Sequence, residues 1–420
     1  MTSTNDTDEL ATARSVAADL RGARQLAVAG VSGVVDLVEA MHHHIAIIPR
    51  IVGRPERDRT IGITRLVYRS IHSVVHLAGR ALDPLLDHVA PLLDKRGAWS
   101  GRESVLAALN GLLGDYLEAS DNPLAIRPSL RRKGVALPGG RTALAAALPH
   151  ASGKLAVLVH GLCMNDLQWT RKRHDHGAGL ERDLGYTAVY LRYNSGLHVC
   201  SNGRAFAEQL EALVRDWPVP LTEIVLIGHS MGGLVARSAF YYGALAGHAW
   251  PARLDRLVFL GTPHHGAPLE RAGNGVDVLL GASRYSAPLA RLGKIRSAGI
   301  TDLRFGRLID QDGPGRDRFA HTGDRRSAVS LPEGVACYAI AATLATSTEV
   351  PGGARLGDGL VPLSSALGRH ADPRLALRFD ASRQYVVRGT GHLDLLSSRK
   401  AYAQLRRWLA SPHGRLGGTV

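Results

Sequence analysis

The most constraining feature of the chain is a serine set between two glycines, Gly228-His229-Ser230-Met231-Gly232. It directly follows the apolar, β-branched run Ile224-Val225-Leu226-Ile227. A helical stretch from Leu234 to Ala246 comes next. Strand, one sharp turn and helix in so few residues force the serine into a strained backbone conformation at the apex. Only glycines two residues either side let the helix pass close behind the strand. Gly233 adds a further small residue where the helix starts. This geometry holds a hydroxyl out above a sheet and sets the Met231 amide at a helix N-terminus, ready to face an oxyanion.

Strands and helices alternate around this turn. Lys154–Val159, Tyr186–Tyr193, Glu223–Ile227, Leu254–Leu260, Ala336–Ala342 and Gln384–Arg388 read as strands, and Arg204–Asp216 and Arg399–Leu409 as helices. Such a rhythm predicts a mainly parallel sheet with crossover helices, an α/β fold. Residues 267–334 interrupt it with glycine, arginine and proline and little periodicity, where a lid over the serine is expected.

A nucleophilic serine at such a turn needs a carboxylate and then a histidine downstream. Asp358 lies in the loop Leu356-Gly357-Asp358-Gly359-Leu360-Val361-Pro362, after the strand Ala336–Ala342. His392 lies in Gly389-Thr390-Gly391-His392-Leu393, immediately after Gln384–Arg388. Both follow the C-terminal ends of strands, where an open parallel sheet places its chemistry. His392 would take the Ser230 proton, and Asp358 would fix the imidazole tautomer and stabilise the imidazolium. Asp310, Asp312, Asp372 and Asp380 compete less well, because none follows a strand of the right order, and Asp394 is expected to open the final helix. A second oxyanion donor belongs in the loop after Lys154–Val159, where Gly161 lets the chain turn and Leu162 follows. Spacing leaves open whether the amide is that of Leu162 or of Cys163.

Five motifs occur in order: Val159-His160-Gly161, Gly228-His229-Ser230-Met231-Gly232-Gly233, Leu260-Gly261-Thr262-Pro263-His264-His265-Gly266, Gly357-Asp358-Gly359-Leu360-Val361-Pro362 and Gly391-His392. Together they resemble the lipase branch of the α/β-hydrolases, which includes triacylglycerol lipases and GPI inositol-deacylase-like proteins. The resemblance covers about residues 134–411. It implies an α/β-hydrolase fold with a Ser230–Asp358–His392 triad, and oxyanion amides of Leu162 and Met231. It also implies substrate-pocket residues His160, Gly161, His229, His264 and His265, with neither His264 nor His265 the base. The expected reaction is cleavage of carboxylic esters, lipid-like ones above all, without metal or organic cofactor. An acyltransferase on the same triad and a non-catalytic membrane-associated binding protein are the alternatives.

The remaining sequence bounds this reading. The N-terminus, Met1–Glu9, is polar and acidic, with neither the basic nor the apolar region of a secretory signal. No apolar run reaches the ~18–20 residues of a spanning helix, so a cytoplasmic protein is expected, with peripheral membrane contact. The three cysteines, Cys163, Cys200 and Cys337, are too few for a disulfide framework. A formal charge of +14 raises nucleic acid as a partner. The arginines are scattered, though, and only 5% of residues are aromatic, which leaves few stacking platforms for single strands, so no nucleic-acid partner is expected.

Residues 1–9 are expected to be disordered and residues 10–122 to form a helical N-terminal module, with helices at Val31–Ile48, Leu82–Leu93 and Glu103–Ala119. Its apolar stripes carry Arg65, Arg69 and Arg80, a pattern suited to anionic membrane surfaces. A linker at 123–133, the catalytic domain at 134–411 and a tail at 412–420 complete the expected organisation. His42-His43-His44 points in three directions on a helix, and His72 and His76 lack an intervening carboxylate, so neither reads as a metal site.

Overall fold

A computed structural model describes residues 102–267, 297–310, 324, 326–346 and 357–411, with residues 18, 21, 22 and 25. The expected helices Val31–Ile48 and Leu82–Leu93, the arginine stripe and the histidines at 42–44, 72 and 76 lie outside the described residues. So does most of the expected lid. Among the described residues no helix is long and apolar enough to cross a membrane.

The chain divides into two units. One comprises Met1–Ser100 with Leu117–Ala125, the other Gly101–Tyr116 with Ile126–Val420. In the first, the Asn122 side chain ties its own turn together, accepting the Leu124 amide at 2.9 Å and donating to the Gly22 carbonyl at 3.2 Å.

The second unit is built on one eight-stranded sheet. Its strands in chain order are β1 (Ser129–Arg132), β2 (Val135–Ala136), β3 (Lys154–Val159), β4 (Thr187–Arg192), β5 (Glu223–His229), β6 (Leu254–Leu260), β7 (Ala336–Thr343) and β8 (Gln384–Arg388), arranged β2-β1-β4-β3-β5-β6-β7-β8. β3 to β8 pair in parallel, and the hairpin β1–β2 adds antiparallel to β4. The central strands are covered on both faces, which is why their inner stretches Leu155–Val159, Ile224–Ile227 and Leu257–Leu260 are apolar without alternation. The sheet is the mainly parallel one expected from the alternating pattern.

Eight α-helices are described: α1 (Arg102–Ala119), α2 (Arg141–Ala147), α3 (His176–Leu184), α4 (Val199–Asp216), α5 (Met231–Leu245), α6 (Ala298–Asp302), α7 (Leu363–Ala366) and α8 (Arg399–Ala410). α4 packs on α5 and α8 on α3. α8 shows the rule that makes such helices legible. Ala401, Tyr402, Leu405, Trp408 and Leu409 are buried at three- and four-residue steps.

Three expected boundaries are corrected. The segment 123–133, read as a linker, holds the whole of β1, whose four residues give too short a signal for alternation to show. Asp394 does not open the last helix; it sits in a separate 3₁₀ turn, Leu393–Ser397, and Ser398 caps α8 instead. The third concerns α1, which was assigned to an N-terminal module. Its residues Arg102–Tyr116 belong to the sheet unit. Asn165 donates to the Glu103 carbonyl at 2.9 Å, Asn110 accepts the Ile126 amide at 2.8 Å, and Glu103 pairs with Arg192. Helical periodicity reveals a buried face but not what covers it.

Candidate active site

Ser230 stands between β5 and α5 with φ 54° and ψ −128°, a backbone conformation that costs an L-residue about 1–3 kcal/mol. The turn is held by its own amide, which donates to the Leu260 carbonyl at 2.9 Å. Three glycines make the crossing possible. A Cβ at Gly228 would strike Gly233, standing 2.5 Å from its nitrogen; one at Gly232 would strike the Val159 and His160 carbonyls. One at Gly233 would strike Thr262 and stand 2.9 Å from Phe259. Each is required by close backbone approach, as the sequence pattern anticipates.

Asp358 and His392 meet across the ends of β7 and β8. His392 Nδ1 lies 2.7 Å from Asp358 Oδ2, and both side chains are 1% exposed. The carboxylate can only accept, so the ring carries its proton at Nδ1 and leaves Nε2 as a lone-pair base. Asp358 Oδ1 accepts the Leu360 and Val361 amides at 3.0 and 2.8 Å, which pins the carboxylate. The two loops are also joined by the His392 amide, which donates to the Asp358 carbonyl at 3.0 Å. His392 Nε2 is buried and has no hydrogen-bond partner among the described residues.

The competing acids are engaged elsewhere. Asp310 pairs with Arg204 on an exposed surface, Asp372 with Arg374, and Asp380 caps the turn at Ser382. Asp394 pairs with Lys172 at 2.8 Å, both exposed. Asp312 lies outside the described residues.

His229 joins the pair to the nucleophile turn. Its Nε2 donates to the His392 carbonyl at 3.2 Å, and the two rings lie 4.8 Å apart. The amide of Cys163 donates to Ser195 Oγ at 3.0 Å, so it is already used. The Leu162 amide makes no hydrogen bond among the described residues. This narrows an alternative that spacing left open. Gly161 lies against the elbow, its pro-Cβ position 3.0 Å from Ser230 Cβ. Cys163 is no nucleophile candidate: burial pushes its thiol up to about 12.

The residues expected to line a substrate pocket divide. His160 is wholly buried and both its ring nitrogens are used: Nδ1 donates to the Gly161 carbonyl at 2.8 Å and Nε2 accepts the Tyr193 amide at 3.4 Å. It stacks on Tyr193 with ring centroids 4.3 Å apart. It therefore holds the loop from behind instead of facing substrate. His229 and His264 are equally enclosed. His264 Nδ1 accepts from Arg237 at 3.3 Å, and His265 Nδ1 accepts from Arg326 at 2.8 Å. Burial lowers His160 and His265 to about 4 and His229 and His264 well below the ordinary histidine range, so all four are neutral.

Two neighbours of the Asp358–His392 pair escaped the sequence reading. Gly261, quoted only within its motif, has φ 58° and lies against the Asp358–His392 pair. His176 is buried; its Nδ1 accepts from His174 at 2.8 Å and its Nε2 donates to the Leu395 carbonyl at 2.9 Å, in the turn that follows His392. Nothing in the local sequence of His176 signals that partner, which is 219 positions away.

The parallel sheet, the glycine-walled serine turn and the acid–histidine pair beyond the strand ends are those of an α/β-hydrolase fold. Residues 150–312 match the family described as PGAP1-like alpha/beta domain. A triacylglycerol lipase of Burkholderia plantarii is 31% identical over 148 residues, which are 34% of this chain and 39% of that protein. The chain thus spans well under half of that relative's length. Among solved structures, the mature Bacillus licheniformis lipase BlEst2 aligns at 18% identity over 61% of this chain and 90% of its own, with a TM-score of 0.38. Aspergillus fumigatus lipase B aligns at 14% identity over 68% of this chain and 62% of its own, with a TM-score of 0.40.

Proposed function

We propose that the protein is a serine hydrolase that cleaves carboxylic esters, lipid-like ones in particular, through an acyl-enzyme. The observation that carries the reading is the buried His392–Asp358 contact of 2.7 Å, which leaves His392 Nε2 without a hydrogen-bond partner among the described residues, while the His392 carbonyl is bonded to His229, the residue before the strained Ser230. Ser230 Oγ attacks the ester carbonyl carbon while its proton passes to His392 Nε2. Asp358 stabilises the imidazolium, and the Met231 and Leu162 amides hold the oxyanion. Collapse breaks the C–O bond, and His392 returns the proton to the departing alcohol. Water then attacks the acyl-Ser230 by the same route in reverse. The reading uses no metal or organic cofactor.

Labelling with a fluorophosphonate followed by digestion tests the nucleophile; an adduct on any residue other than Ser230 overturns it. The lipid-like substrate is supported by the family resemblance and by the enclosed triad, with Ser230 only 5% exposed. Each methylene buried from water contributes about 0.8 kcal/mol, so a chain-length series from acetyl to palmitoyl esters should favour medium or long acyl groups. A preference for acetyl esters makes it a small-ester esterase.

A further inference from the structure

The loop that follows β3 is gripped from outside by a helix lying well before it in sequence. Cys163 has φ 58°, a left-handed conformation that L-residues avoid. Its amide is fixed on Ser195 Oγ at 3.0 Å. On the other side stands α1. A Cβ at Gly111 would strike the Cys163 sulfur and stand 2.9 Å from its Cα and 3.0 Å from its nitrogen. No side chain fits between this helix and the loop.

The grip extends to the segment that carries Ser195. Asn194 donates to the Gly114 carbonyl at 3.0 Å and accepts the Gly196 amide at 3.1 Å, and it fills the space beside Gly114. Ser297 donates to the Gly111 carbonyl at 2.6 Å, and the Gly299 amide donates to the Gly196 carbonyl at 3.0 Å. A Cβ at Gly299 would reach within 3.1 Å of Met231 Cε. One continuous layer therefore borders both Cys163 and Met231, the neighbour of one proposed oxyanion donor and the other donor itself.

We infer that Ser195 and Gly111 are positioning residues for the oxyanion amide of Leu162. Ser195 occupies the Cys163 amide and fixes the rotation of the Leu162–Cys163 peptide. Gly111 lets α1 block outward movement of the loop. The Leu162 amide, one peptide upstream and without an acceptor among the described residues, is kept facing the oxyanion by the loop fixed on its C-terminal side. This rests on the acyl-enzyme reading above. It also makes α1, expected to belong to a separate module, part of the catalytic apparatus.

The test uses the full chain with Ser195→Ala, Ser195→Thr, Gly111→Ala and, as a destabilising control remote from the loop, Leu144→Ala in α2, a residue 1% exposed. A lost oxyanion donor costs about 10²–10³-fold in kcat, and a small misplacement less. Ser195→Ala should therefore lower kcat about tenfold or more with KM within about twofold, and slow fluorophosphonate labelling in proportion. Ser195→Thr, which keeps the hydroxyl, should restore both. Gly111→Ala should lose about 10²-fold in kcat. Leu144→Ala should lower Tm without changing kcat of the folded enzyme. Wild-type kcat in Ser195→Ala, or losses in both loop variants that merely follow Tm, would overturn the inference. Absence of labelling and turnover in the wild type would instead overturn the hydrolase reading.

Discussion

Gly261 leaves the space beside the imidazole of His392 open: a methyl on its Cα would stand 3.3 Å from Nδ1, 3.2 Å from Asp358 Oδ2 and 2.9 Å from Leu395 Cδ1. The residue follows β6 with φ 58°, and its amide donates to the Ile340 carbonyl at 2.8 Å. The floor beneath the acid–histidine pair is thus bare backbone, fixed to the sheet. Gly261→Ala should cost about 1–3 kcal/mol for the left-handed conformation. It should also displace the ring enough to lower kcat by about 10²-fold. Thermal melts and steady-state kinetics check both, and wild-type turnover would show that the ring is not held from below.

Asp358→Asn separates charge from architecture. The asparagine oxygen can keep both amides that Asp358 Oδ1 now accepts, so the loop should persist. Its NH₂ would then face His392 Nδ1 and force the proton to Nε2, leaving no base for Ser230. A kcat loss of about 10⁴-fold with little change in Tm is expected. Asp310→Asn and Asp380→Asn should stay near wild type, since their partners are on the surface. Equal damage from either of those, with a mild Asp358→Asn, would reassign the acid.

The Ser230 backbone makes stability and chemistry oppose one another. Glycine adopts φ 54°, ψ −128° without the strain that serine bears there, although glycine loses about 0.5–1 kcal/mol in chain entropy. Ser230→Gly should therefore be inactive yet about 1 kcal/mol more stable than Ser230→Ala, which keeps the Cβ. Equal melting temperatures for the two would mean that the turn is unstrained.

Acid should unfold this protein through its histidines. Burial lowers His160 and His176 to about 4, and holds His229 well below the ordinary histidine range. A folded-state pKa below the unfolded value of about 6.5 means that the unfolded chain binds the extra protons. The stabilisation is full above about pH 6.5 and is lost as pH falls toward 4. Each such histidine adds a slope of up to about 1.4 kcal/mol per pH unit in that window. His176→Gln should flatten the slope, because it removes one titrating group while offering an amide for the Leu395 carbonyl. Denaturant midpoints measured between pH 7.5 and 4.5 decide it; a pH-independent midpoint would contradict the neutral, buried assignment.

The serine turn and the Asp358–His392 contact are legible in the sequence because each side chain sits in a local motif after a strand. Strand, turn and obligatory residues are adjacent for Ser230 and His392, Asp358 follows its strand at a longer interval, and parallel order puts all three loops on one edge of the sheet. What holds them is not. The pairs His176–Leu395, Ser195–Cys163 and Gly111–Cys163 join distant segments. A histidine or glycine that meets its partner only in the fold leaves no periodic trace. The burial of His160 and His264 was hidden for a related reason. A motif places His160 and His264 near the serine but cannot tell a side chain facing a ligand from one facing the core.

The domain boundary at α1 changes how membrane contact by residues 10–120 must be tested. A chain starting near Pro123 would lack Gly111, Gly114 and Asn110, which contact Cys163, Asn194 and Ile126. It should be misfolded or inactive, so its failure to bind liposomes would say nothing about the N-terminal segment. A chain starting at Gly101 keeps every one of those contacts and should retain ester turnover. Full-length protein and this shorter form can then be compared by co-sedimentation with anionic vesicles. If the arginine-bearing stripes engage the surface, the full chain should bind better at low salt. The difference should fade at physiological ionic strength and above, where exposed charges are screened within about 8–10 Å. Equal binding by the two forms would exclude residues 1–100 as the membrane contact, and an active chain from Pro123 would show that α1 is dispensable to the site.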